Sequence, residues 1–188
     1  MIEIIKIIVP ALAGAFLAHF FSQRRENKIK SYEARKKIYI EFVELTFEII
    51  NLVNSKDKDK VQKLSDEKLP PLITKIAVIG SKELYDLYLF FQWISRNVNE
   101  LEHNGLCNKY AHMFVVSEIF QTIRKELAFD KSWEQIDDID ILSAFVTDAR
   151  TNPDVKKGLE LYNGNKTKLK DHYLEWRQKT SPNPKNFI

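Results

Sequence analysis

The densest group of side chains able to do chemistry is Glu134, Asp137, Asp138 and Asp140 in the stretch WEQIDDIDIL. A hard cation needs several oxygen ligands, and four acids so close together could supply them. The stretch lacks the spaced D-x-D-x-D-G and terminal glutamate of a calcium loop, and acids are favoured at a helix start because they complement its dipole. We read the cluster as a helix N-terminus and assign no metal to it. His103 and Cys107 lie four apart with His112 beyond, and imidazole with thiolate is a zinc-binding chemistry. Asn104 and Gly105 break the helical face between the first two, and a fourth ligand is missing. His112 and His172 are candidate general bases, but no G-x-S-x-G, H-E-x-x-H or P-loop glycine pattern accompanies them. An enzyme would need a pocket enclosing several of His112, Asp137, Asp138, Asp148 and Arg150. No catalytic residue, cofactor or metal is assigned on this reading.

The elements that would position any such group begin with an apolar run. Residues Ile4 to Phe21 read IIKIIVPALAGAFLAHFF, interrupted by Lys6, Pro10 and His19. As a helix these positions reach about 27 Å, close to the thickness of a hydrocarbon core, so they predict a transmembrane anchor. Arg24, Arg25, Lys28, Lys30, Arg35, Lys36 and Lys37 follow it, with Glu26 and Glu33 the only acids among them. A secretory signal carries its charge before the apolar stretch, so the order here opposes that reading. A buried core helix would show a polar stripe facing water, and Ile7 to Leu17 has none. Basic residues beside a span resist translocation, which predicts an inner-membrane protein with its N-terminus outside and its main domain cytoplasmic. The same seven basic residues are expected to contact anionic lipid. Within the span, Ala11 with Ala15 and Gly14 with Ala18 form small-x-x-x-small pairs, a pattern that lets helices pack closely in lipid.

Composition agrees with one domain behind a tether. The chain has 188 residues and a net charge of +3, but residues 1 to 37 hold eight basic and three acidic residues, leaving 21 against 23 in the rest. The globular part is not basic, so specific nucleic-acid binding is not expected. Cys107 is the only cysteine, which excludes an internal disulfide and fits a reducing compartment.

No glycine or proline falls between Phe16 and Pro70, and Ala34, Ile38, Phe42, Leu45, Ile49 and Leu52 recur at spacings of three and four. Together they predict one long helix running from the anchor into the core and ending near Asn54. A polar loop or short exposed helix should follow to Leu69, then a short apolar segment from Pro70 to Gly80. Ser81 is placed to cap a helix carrying Leu84, Leu87, Tyr88, Phe91, Ile94, Val98 and Leu101 inward, stopped by Asn104 and Gly105. Its aromatic stripe LYDLYLFFQW reads as core, with Tyr85 and Trp93 off the main face. A third helix is expected from Leu106 or Asn108 to Leu127 on Tyr110, Met113, Phe120 and Ile123, and a weaker one from Asp138 to Ala149 on Leu142, Phe145 and Val146. A short turn of helix at Asp154 to Tyr162 and a separate terminal helix at Lys166 to Gln178 complete the pattern. Asn165-Lys166-Thr167 matches a glycosylation sequon that a cytoplasmic location would leave unused.

The predicted architecture is all-α: an anchor at 1–22, a basic juxtamembrane helix at 23–37, a cytoplasmic helical bundle at 38–179 and a disordered tail at 180–188. The span, the Arg-rich exit and the segments IAVIGSKELYDLYLFF and TIRKELAF resemble bacterial single-pass membrane-anchored proteins with a cytoplasmic helical domain. That resemblance implies an adaptor, sensor or regulatory subunit that binds membrane lipids and a protein partner or a second copy of itself. Its alternative is an oligomerising, membrane-disrupting effector of bacterial defence or stress systems.

Overall fold

The computed structural model describes residues 2–127, 137–144, 146 and 148–180, and the side chains of residues 19–180 among them apart from Asn54. Its helices are α1 (Ile2–Asn54), α2 (Lys58–Glu67), α3 (Leu69–Ile79), α4 (Lys82–His103), α5 (Ala111–Glu126), α6 (Asp138–Ser143) and α7 (Pro153–Thr180), with no strand among the described residues. The all-α class expected from the sequence is the class observed.

The long α1 follows from its lack of breakers, and its length of 53 residues joins the N-terminal run to the bundle without interruption. It stops in a Schellman turn. The Lys56 amide donates to the Val53 carbonyl at 3.1 Å and the Asp57 amide to Leu52 at 3.1 Å, with Lys56 at φ 61° in the left-handed position glycine usually fills. Ile38, Tyr39, Phe42 and Leu45 bury one face of α1 in the core, against Leu72 and Ile76 of α3 and Tyr88 of α4. Full burial of each aliphatic side chain contributes about 1.5–3 kcal/mol. α4 packs on α5, α1 lies along α2 and α3, and α5 also holds α6 and α7.

Local rules account for most ends. Ser81 caps α4 as expected, its Oγ accepting from the Leu84 amide at 3.0 Å. Gly105 at φ +67° turns the chain out of α4, the left-handed conformation the predicted stop required. Four segments differ from expectation. α5 begins at Ala111 and not at Leu106 or Asn108, because the Asn108 carboxamide is used elsewhere: Oδ1 accepts from the Tyr110 amide and Nδ2 donates to the Asp154 carbonyl. α6 ends at Ser143, short of Ala149. α7 is one helix through Asn163, Gly164 and Asn165, because buried Tyr162 and Leu169 on either side hold it to the bundle. Gly164 has open space around it and Gly158 faces Asn108, where a Cβ would come within 2.1 Å of Nδ2. Trp93 is buried rather than off the main face, stacked on Phe90 at 6.0 Å and near Tyr173 at 5.9 Å.

Among the described residues no helix is long and apolar enough to cross a membrane. The expected span at Ile4–Phe21, with its Ala11, Gly14, Ala15 and Ala18 pairs, lies almost wholly outside the described side chains, as do Glu134, Phe145 and residues 181–188.

Candidate functional site

Helical spacing puts Phe20, Arg24, Lys28, Ser31, Arg35 and Tyr39 on one stripe of α1. This stripe faces the C-terminal end of α5, and the two elements enclose an open cleft of about 620 Å³ lined also by Gln23, Asn27, Tyr32, Glu126 and Leu127. The Tyr32 hydroxyl donates to the Leu127 carbonyl at 3.2 Å and ties α1 to the end of α5. At the bundle end stands a polar clasp of three helices. Tyr39 Oη of α1 donates to Glu126 Oε2 at 2.5 Å, the Ser81 hydroxyl at the start of α4 donates to Glu126 Oε1, and the Ser81 amide donates to Tyr39 Oη at 3.1 Å. Burial, followed by the bond to the Glu126 carboxylate, raises the Tyr39 phenol above its ordinary value, which keeps it a donor.

The cleft is electropositive. Arg24, Lys28 and Arg35 have no ion-pair partner among the described residues, and Arg35 Nε is shielded from solvent without a hydrogen-bond acceptor. Glu126 is the one acid lining the cleft among the described residues. Of the seven basic residues expected to contact lipid, the structure therefore brings Arg24, Lys28 and Arg35 together and leaves Arg25, Lys30, Lys36 and Lys37 outside the cleft lining. Lys30 instead pairs with Glu26 at 2.7 Å.

Further along the same stripe, Phe42, Thr46, Ile49, Ile50 and Val53 line a second hollow of about 360 Å³. Leu69, Tyr88, Phe91, His112, Met113, Val116 and Ile119 complete its largely apolar wall. Burial lowers the pKa of His112 from its ordinary value, against an opposing hydrogen bond to the Lys109 backbone, so this imidazole is held neutral.

The other side chains singled out from the sequence serve packing and capping. Asp137 caps α6 through the Asp140 amide at 2.7 Å, and Asp138 accepts from the Ser117 hydroxyl and the Gln121 amide, each at 2.8 Å. Asp140 pairs with Arg150, and Asp148 accepts from Asn152 at 3.2 Å. The acids are thus spent on holding α6 to α5 and on local turns. Cys107 is buried, and burial with the nearby Glu102 charge pushes its thiol up to about 11, so it offers no thiolate near neutrality. His103 ends α4 and His172 is exposed on α7. No group of three or more His, Cys, Asp or Glu placed to hold a metal occurs among the described residues.

Sequence reasoning missed the clasp. Tyr39 was hidden by the apolar residues around it, and Glu126 sits in a terminal turn rich in charge. The available signal was Tyr39 on the buried stripe, since a phenol among core residues needs an acceptor. A second clasp was equally silent: the Tyr162 hydroxyl donates to Glu118 Oε1 at 2.7 Å while Lys166 Nζ lies 2.8 Å from the same oxygen, tying α7 to α5. No protein-family model, no curated protein and no solved structure is matched by this chain.

Proposed function

We propose that this chain is a single-pass inner-membrane protein whose helical bundle, on the cytoplasmic side, works by contact with another protein as an adaptor, sensor or regulatory subunit. The observation that carries this reading is the continuity of α1, which runs from Ile2 to Asn54 and buries Ile38, Tyr39, Phe42 and Leu45 in the bundle. A tether of that kind transmits position and tilt, because no loop stands between the apolar run and the core. The basic stretch after the run supports the orientation. The bundle also leaves large apolar side chains in water: Val78 is 78% exposed at the end of α3, and Leu174 and Trp176 are 49% and 40% exposed near the end of α7.

The test is site-specific photocrosslinking in intact cells, with the crosslinker at Val78, Trp176 or the buried control Leu72. A discrete adduct from either exposed position and none from Leu72 supports the interaction role. Adducts only between copies of the chain favour a self-associating module. The absence of any adduct at both positions, with the protein at normal abundance, contradicts the reading.

A further inference from the structure

We propose that the cleft between α1 and the end of α5 binds the phosphodiester headgroup of an anionic glycerophospholipid, with Arg24, Lys28 and Arg35 as its cationic contacts. The inference rests on the reading above that Ile4 to Phe21 is embedded in lipid, and it narrows a general basic collar to three residues on one face.

Charge is the first argument. Three cations at helical spacing line one wall, none has an ion-pair partner among the described residues, and the Arg35 Nε–H is shielded from solvent with no acceptor. A guanidinium N–H in that position calls for an oxygen acceptor, and Arg is suited to phosphate because its planar fork donates two parallel bonds. Among the described residues Glu126 lowers the local excess to two positive charges, so the lining stays cationic. Both Glu126 oxygens already accept from Tyr39 and Ser81, which spreads the carboxylate charge into the clasp.

Shape and position supply the second argument. About 620 Å³ is ample for a polar headgroup and far larger than an inorganic ion needs. Gln23, Asn27 and Ser31 add neutral donors to the wall. Phe20, 51% exposed, stands at the cleft's anchor-side end, in the last residues of the apolar run, where an acyl chain would leave the site. The headgroup would therefore bridge α1 to the α5 end and couple the tilt of the tether to the bundle through the Tyr39–Glu126–Ser81 clasp.

The experiment uses the full chain reconstituted into vesicles of phosphatidylcholine and phosphatidylglycerol, re-extracted in mild detergent, with retained lipid read by native mass spectrometry. The wild type should retain phosphatidylglycerol over phosphatidylcholine by about a hundredfold, given about 1 kcal/mol for each of the three basic contacts at the membrane surface. Replacing Arg24, Lys28 and Arg35 by Gln together should abolish the preference. Replacing Arg25, Lys30 and Lys37 by Gln removes the same charge from the same stretch and should leave it intact. The double variant Arg24→Gln with Lys28→Gln alters only exposed side chains, so its reduced preference would be independent of folding. Equal loss in both triple variants would overturn the site in favour of diffuse attraction. Displacement of the lipid by millimolar glycerol phosphate or inorganic phosphate would overturn a lipid headgroup in favour of a dissolved anion. Failure to enter pure phosphatidylcholine vesicles would sink the embedded span itself, whereas entry without lipid preference would sink only the cleft.

Discussion

One stripe of α1 lines two hollows of opposite character. Before Tyr39 its wall is cationic and polar, through Arg24, Lys28, Ser31 and Arg35; beyond Tyr39 it is Phe42, Thr46, Ile49, Ile50 and Val53. The same helical geometry presents both sets, so the difference lies in side-chain chemistry alone. The apolar half is packed by α3, α4 and α5 and holds the domain together, while the cationic half faces a single helix end and is left with one shielded, unsatisfied donor, Arg35 Nε. Core packing and an open cationic face are thus divided along one rod, with the Tyr39–Glu126–Ser81 clasp at the boundary.

The sharpest way to break this division is to truncate each half in turn. Phe42→Ala should lower unfolding stability by about 3–5 kcal/mol, as removal of a buried phenyl ring does. Arg24→Gln with Lys28→Gln should leave stability within about 0.5 kcal/mol of wild type. Urea titrations of the full chain in detergent, followed by Trp fluorescence, would check both, and comparable losses would erase the distinction. At the boundary, Glu126→Ala leaves the Tyr39 and Ser81 hydroxyls without their acceptor and should cost about 1–3 kcal/mol in the same titration. Glu126→Gln, which keeps one good acceptor, should cost less.

How much of this was legible in sequence depends on what each residue's neighbours had to supply. The apolar stripe from Ile38 to Leu52, the Ser81 cap and the Gly105 stop were readable because their causes are local: periodicity, a hydroxyl three residues from an amide, a positive φ. The seven basic residues were readable as a collar, but their division into Arg24, Lys28 and Arg35 against the rest depends on where the α5 end lands, 87 residues from Tyr39 along the chain. The continuity of α7 was missed for a related reason. Asn163, Gly164 and Asn165 are poor helix formers, yet the burial of Tyr162 and Leu169 outweighs a cost of about 1 kcal/mol for glycine. The acids at 137, 138 and 140 were correctly taken as a helix start, although their ties to Ser117, Gln121 and Arg150 needed the fold.

Two smaller effects would sharpen the contrast. His112 is held neutral in the apolar hollow, so the unfolded chain takes up its proton more readily than the folded one. Its contribution is therefore fully present above the ordinary value of 6.5 and is lost as pH falls from there through the lowered folded value. In thermal melts between about pH 7 and pH 5, wild type should lose stability on acidification relative to His112→Gln. Smaller still, Lys56→Gly should relieve the left-handed backbone at the end of α1 and stabilise the chain by about 1 kcal/mol. A rise in melting temperature would report it, and a fall would mean that the Lys56 side chain holds the turn.

The account stands on α1 carrying a lipid-embedded end directly into the bundle. The most direct measurement is alkaline carbonate extraction of membranes from cells expressing the full chain, paired with protease added to intact spheroplasts. The account predicts that the protein stays in the membrane pellet and that the bundle is digested only after permeabilisation. Release into the carbonate supernatant, or digestion of the bundle from outside, would contradict it.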